Sequence, residues 1–172
     1  MKTLLITVVI VVVLIAGVKY FSTNSNSGGD NAKSGSALEV SEGKLVIENN
    51  NIELGDIPIT GGKVETRFSF KNEGSEPVTI KKGETSCMCT EAVVEKSDGS
   101  KSQRLTMNMG GVSVGKVNMT IEPGETATLV GIFDPMAHGP SGVGSINRDI
   151  TLETNSKTNP EMRFSFSGNV IR

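Results

Sequence analysis

The sequence predicts an all-β fold, a single antiparallel immunoglobulin-like β-sandwich of about seven to nine strands. Three observations carry that expectation. Apolar and polar residues alternate with a period of two in several stretches, closely spaced turn signals separate those stretches, and no helical period is sustained after residue 21. The composition agrees, because 20 glycines and many Thr, Val, Ser and Asn residues favour turns and strands over helices.

The clearest strand places Val64, Thr66, Phe68 and Phe70 opposite Glu65, Arg67, Ser69 and Lys71, the pattern of a sheet with one face buried. A second one closes the chain, with Met162, Phe164, Phe166 and Val170 against Glu161, Arg163, Ser165 and Ser167. Further strands are expected at 45–48, 52–57, 78–82, 91–95, 117–121, 126–133 and 146–154. Between them stand Gly61-Gly62, Asn72 to Pro77, Asp98-Gly99, Pro123-Gly124, Pro140 to Gly142 and Asn159-Pro160, all turn formers.

Ahead of the strands lies an apolar run from Leu4 to Val18, flanked by Lys2 and by Lys19, Tyr20 and Phe21. It is shorter than the roughly 20 residues of a full membrane crossing, yet the aromatic pair is suited to the interface. Residues 1–21 are expected to form an uncleaved membrane anchor. The alternative is a cleaved signal, for which Ile15-Ala16-Gly17 is the best site. Residues 22–43, rich in Ser, Asn and Gly, read as a flexible tether, and 44–172 as the sandwich domain, placed outside the cytoplasm at the periplasm or cell surface.

Charge narrows the partners. The chain carries 17 basic and 19 acidic residues for a net −2, with no Lys/Arg cluster, so nucleic acid is not an expected partner. Gly110 to Lys116 matches a phosphate-loop pattern, but Val117 stands where a Ser or Thr should hold magnesium and the following residues read as a strand. The one histidine, His138, with Asp134 four residues before it, defines no nucleophilic set, and no enzymatic activity is expected.

The order of segments resembles a known family. Ile52 to Ile57 precedes Thr66-Arg-Phe-Ser-Phe-Lys-Asn-Glu-Gly74, followed by Pro77-Val-Thr-Ile80, Thr85-Ser-Cys-Met-Cys-Thr90, Ile121-Glu-Pro-Gly-Glu125, Phe133-Asp-Pro135 and a last strand. This is similar to the bacterial exported immunoglobulin-like family called domain of unknown function 1573, related to the Hydin and major-sperm-protein sandwiches. The resemblance runs from about Leu45 to Val170 and implies an exported sandwich without implying a biochemical role. A subgroup with the segment seen here at His138 to Gly144 often carries Met-His-Gly before the Pro-Gly-Glu turn, where this chain has Met107-Asn108-Met109-Gly110-Gly111.

Chemistry, if present, centres on Cys87 and Cys89, the only two cysteines. On an extended strand both sulfurs would face one side. Met107/Met109 and Met136/His138 repeat that spacing, so Cys87, Cys89, His138, Met107 and Met109 form a candidate soft-metal set, favouring copper and less so zinc. A Cys87–Cys89 disulfide is the other reading. On an ideal strand the Cα atoms would lie about 6.6–6.8 Å apart, at the far edge of a bridge's reach. Two inert thiols are the third.

The expected function is accordingly a non-enzymatic, membrane-tethered extracytoplasmic binding or assembly module. Its expected partners are the membrane, through the N-terminal segment, and another exported protein. The alternatives are a copper-binding domain and a redox-labile disulfide protein.

Overall fold

The computed structural model describes residues 39–109 and 115–172. The expected anchor, most of the tether and the core of the phosphate-loop pattern lie outside the described residues. Lys116, which ends that pattern, opens a strand, one residue ahead of the expected start. Among the described residues no helix is long and apolar enough to cross a membrane.

Among the described residues nine strands form: β1 (Leu45–Ile47), β2 (Asn51–Pro58), β3 (Val64–Asn72), β4 (Val78–Thr85), β5 (Thr90–Lys96), β6 (Lys116–Ile121), β7 (Thr126–Phe133), β8 (Gly144–Thr154) and β9 (Glu161–Ile171). They make two sheets, one ordered β1-β3-β7-β5 and the other β2-β9-β8-β4-β6. Every expected strand is present, with ends shifted by up to three residues. Packing begins ahead of β1, since Ser41 is buried and bridges to Ser156.

The expectation of a wholly antiparallel sandwich needs one correction. β2 pairs with β9 in parallel, Asn51 beside Ser165 and Pro58 beside Ile171. The other strand pairs are antiparallel. Alternation within a segment reports which face is buried. It carries no information on the direction of a partner more than a hundred residues away.

The alternating residues pack as their pattern requires. Phe68 and Phe70 of β3 point across the sandwich to Phe164 of β9, with ring centroids 5.3 and 6.0 Å apart. Phe133 of β7 meets Phe166 at 5.9 Å in an edge-to-face arrangement. All of these rings are buried to 2% exposure or less, so the two sheets share one core.

Two turns show how local sequence fixes the connections. Glu125 N–H donates to the Glu122 carbonyl at 2.9 Å around Pro123 and Gly124. Gly124 has φ +80°, which a side chain resists and the third residue of a type II turn requires. Asn72, fully buried at the end of β3, satisfies the next turn. Its Nδ2 donates to the carbonyls of Glu76 (2.8 Å) and Ile121 (2.9 Å), and its Oδ1 accepts from Gly74 N–H at 3.0 Å.

Candidate functional site

β4 belongs to the five-stranded sheet and β5 to the four-stranded one, so the short link between them, Ser86 to Cys89, crosses from sheet to sheet. Cys87 and Cys89 therefore sit in a turn. This corrects the extended geometry assumed from the sequence. Thr90 N–H donates back to the Cys87 carbonyl at 3.0 Å, closing the turn. The buried Thr85 hydroxyl braces it by donating to the carbonyls of Cys87 (3.1 Å) and Thr90 (2.9 Å). The curl brings the two Cα atoms to 5.2 Å, inside the usual range for a bridge, and the sulfurs are joined in a disulfide.

Neighbouring elements hold the turn in place. Ser86 exchanges hydrogen bonds with Asp149 of β8, its N–H donating to the Asp149 carbonyl and its hydroxyl accepting from the Asp149 N–H, both at 2.9 Å. Asp134 N–H, just after β7, donates to the Cys89 carbonyl at 2.9 Å. Asp134 also starts the turns that carry His138. Its carboxylate accepts from Met136 N–H at 2.9 Å, and Gly139 N–H donates to the Met136 carbonyl at 2.8 Å. Met136 and His138 thus lie in a tight turn, also not extended as assumed.

Two nitrogen-bearing side chains converge on the sulfurs. His138, exposed, places Nε2 3.4 Å from Cys87 Sγ. Arg148 of β8 directs Nε to Cys89 Sγ at 3.1 Å, and its Nη1 donates to the Asn147 carbonyl at 2.7 Å. The guanidinium also stands 5.8 Å from the centre of the Phe133 ring. Cys89 is only 2% exposed, whereas Cys87 is half-buried.

Arg148 was not singled out from the sequence, although a signal exists. Ile146, Ile150 and Leu152 of β8 are buried at alternate positions, which puts Arg148 on the same, core-facing side. A cation at such a position calls for a nearby anion or acceptor. No ion pair joins Arg148 to a carboxylate among the described residues; its side-chain contacts are the sulfur, one carbonyl and the ring. Burial pushes its pKa below the usual guanidinium range, the direction expected of an incompletely compensated charge.

Cys87, Cys89 and His138, three of the five residues expected as metal ligands, stand together at the turn. The donor atoms of Cys87, Cys89 and His138 lie within 4.8 Å of one another. Met107 and Met109 follow Leu105, on the segment tied to β4 where Thr85 N–H donates to the Thr106 carbonyl at 3.3 Å. Met107 is half-buried and Met109 is 68% exposed. Met88, between the cysteines, and Met136 are exposed beside the site.

Fold and site together define a two-sheet β-sandwich with a disulfide turn in the link between the sheets. The family described as Protein of unknown function (DUF1573) matches residues 45–111, a stretch that includes the disulfide turn, and over that stretch the resemblance seen in the sequence is shown. No curated protein matches the sequence. Among solved structures, a protein of unknown function from Porphyromonas gingivalis W83 is similar with a TM-score of 0.54 and 18% identity, over 81% of this chain and 51% of that one. The chain thus spans about half the length of that relative. A family 123 glycoside hydrolase from Clostridium perfringens is similar over 77% of this chain and 27% of its own, with a TM-score of 0.51 and 9% identity. At these identities the likeness is one of fold.

Proposed function

We propose that this chain is a non-enzymatic, extracytoplasmic binding or assembly module whose Cys87–Cys89 disulfide opens and closes reversibly. Residues 1–21 anchor it in the membrane, 22–43 tether it, and the sandwich of 44–172 meets another exported protein through its sheet edges and end loops. Support for the location comes from the apolar run and the family resemblance; support for the binding role comes from the sandwich fold, with its sheet edges and end loops as contact surface.

The observation that carries the redox reading is the contact between Arg148 and Cys89. A core-facing guanidinium without a carboxylate among the described residues finds sulfur as its acceptor at 3.1 Å. Reduction turns that sulfur into a thiolate, and a cation beside it stabilises the reduced form and makes the disulfide easier to open. A bridge serving only to staple the fold has no use for such a neighbour.

The test is a titration of the full chain, in detergent, against buffers of reduced and oxidised glutathione, with thiols counted by alkylation and mass. A reversible two-electron transition above about −300 mV is expected, because structural bridges resist reduction to lower potentials. A disulfide still closed below that value overturns the reading. Export is tested separately by fusing alkaline phosphatase after residue 172; activity in a bacterial host is the expected result, and an inactive, cytoplasmic fusion sinks the location.

One observation favours a second reading, in which the reduced site takes a soft metal. In the closed form the two sulfurs and the imidazole lie within 4.8 Å of one another, and opening the bridge would turn them into two thiolates and an imidazole, a set that suits Cu(I), with Zn(II) as competitor. Arg148 weighs against it at Cys89, since a fixed cation at 3.1 Å repels a second one at the same sulfur.

A further inference from the structure

We infer that the two sulfurs of the pair have different jobs: Cys87 is the one an incoming thiolate attacks, and Cys89 is the one released, its thiolate held by Arg148. This rests on the redox reading above and adds to it a direction of attack and a positioning residue. A symmetrical disulfide has no preferred end. Here the surroundings of the two sulfurs differ in access and in charge.

Access favours Cys87. It is half-buried beside the exposed His138 turn, whereas Cys89 is 2% exposed, packed in the core cluster with its Sγ 3.7 Å from the Thr90 hydroxyl. A nucleophile from solvent or from a docked protein meets Cys87 first. Charge favours Cys89 as the leaving group. Arg148 Nε already donates to its sulfur, so the negative charge that develops as the S–S bond breaks is met without rearrangement. Exchange is faster when the departing thiol is the more acidic one. The Cys89 N–H, which donates to Cys87 Sγ at 3.3 Å, orients the attacked sulfur within the turn.

The step balances as an ordinary exchange. A thiolate R–S⁻ bonds to Cys87 Sγ, the Cys87–Cys89 bond breaks, and its electron pair leaves on Cys89 Sγ. The product is a mixed disulfide between R and Cys87. A second thiol of the reductant then attacks the R sulfur, freeing Cys87. The reductant becomes a disulfide as the protein becomes a dithiol, two electrons having passed.

The experiment treats the oxidised full chain in detergent with excess reduced glutathione, quenches early with iodoacetamide, and maps the Cys87–Cys89 peptide by fragmentation. Glutathione on Cys87 and carbamidomethyl on Cys89 are expected in at least about tenfold excess over the reverse, the ratio that one charge-assisted hydrogen bond supports. Equal labelling, or glutathione mainly on Cys89, overturns the assignment while leaving the redox reading intact. A disulfide that glutathione never opens overturns the redox reading itself.

Arg148→Met supplies the second arm, with Arg148→Lys to separate charge from packing on Phe133. The opening rate is expected to fall about tenfold in Arg148→Met and to recover in part in Arg148→Lys, with unchanged far-ultraviolet circular dichroism in both. A folded Arg148→Met protein that opens at the wild-type rate removes Arg148 from the mechanism.

Discussion

Arg148 Nε lies 3.1 Å from Cys89 Sγ, and that one contact joins the middle of a core strand to a turn 59 residues away. It turns a residue that would be a liability in an apolar layer into the electrostatic partner of a sulfur. The equilibrium consequence is a measurable potential. Arg148→Met is expected to lower the reduction potential by about 30–60 mV, the equivalent of the 1.5–3 kcal/mol typical of a hydrogen bond to a charged group. Glutathione titration of the variant beside wild type checks it; an unchanged potential means that the guanidinium does not sense the thiolate.

Opening the disulfide should leave the sandwich folded. A bridge between residues two apart closes a very short loop, for which the chain-entropy relation gives only about 1–2 kcal/mol. Thermal melts of oxidised and reduced protein are expected to differ by a few degrees with the same far-ultraviolet spectrum. Global unfolding on reduction would mean that the turn anchors far more of the structure than its hydrogen bonds indicate.

Under the soft-metal reading, the reduced chain takes up one Cu(I), and both Cys87→Ser and His138→Ala weaken binding at least about tenfold by removing one of three ligands. Competition with a chromophoric Cu(I) chelator measures this. Binding that both variants retain at wild-type strength excludes a mononuclear site built on those residues.

Asn72 is expected to matter more than a polar residue at a strand end usually does. Its amide makes three hydrogen bonds to backbone in a fully buried setting. Asn72→Ala leaves two carbonyls and one N–H without that partner and should cost about 2–4 kcal/mol in urea unfolding. Phe164→Ala, which empties the space between Phe68 and Phe70, should cost about 3–5 kcal/mol.

Glu95 gives an acid-side prediction. Its hydrogen bond to Lys101, assisted by Arg67, holds its carboxyl below the ordinary 4.5. A lowered folded-state pKa contributes stability that is present above the unfolded value and is lost as pH falls through the folded one. Glu95→Gln should therefore be less stable than wild type near pH 7, with the gap closing below about pH 4. Urea midpoints across that range test it, and a gap independent of pH would count against the ion pair.

Most of the architecture was legible because burial on one face leaves a period-two imprint on each strand. Thr126–Phe133 coincides with its expected range, and the Phe68/Phe70 and Phe164/Phe166 alternations predicted the residues that fill the core. The candidate site was legible only in part. Cys87, Cys89 and His138 were chosen by type and spacing, and the fold brings them together. Arg148 left a trace in the Ile146–Ile150 alternation, but its acceptor lies on another strand connection and had no local signature.

By itself, then, the sequence determined the strands, their inward faces, the turns at Pro123-Gly124 and Asn72, and the family resemblance. These are consequences of neighbours in the chain. The tertiary structure alone decided the parallel pairing of β2 with β9, the curl of Cys87–Cys89 into a turn between sheets, and the meeting of that turn with His138 and Arg148. The pairing of β2 with β9 and the contacts of His138 and Arg148 join residues far apart in sequence, and the turn that holds Cys87 and Cys89 is set by the crossing from one sheet to the other.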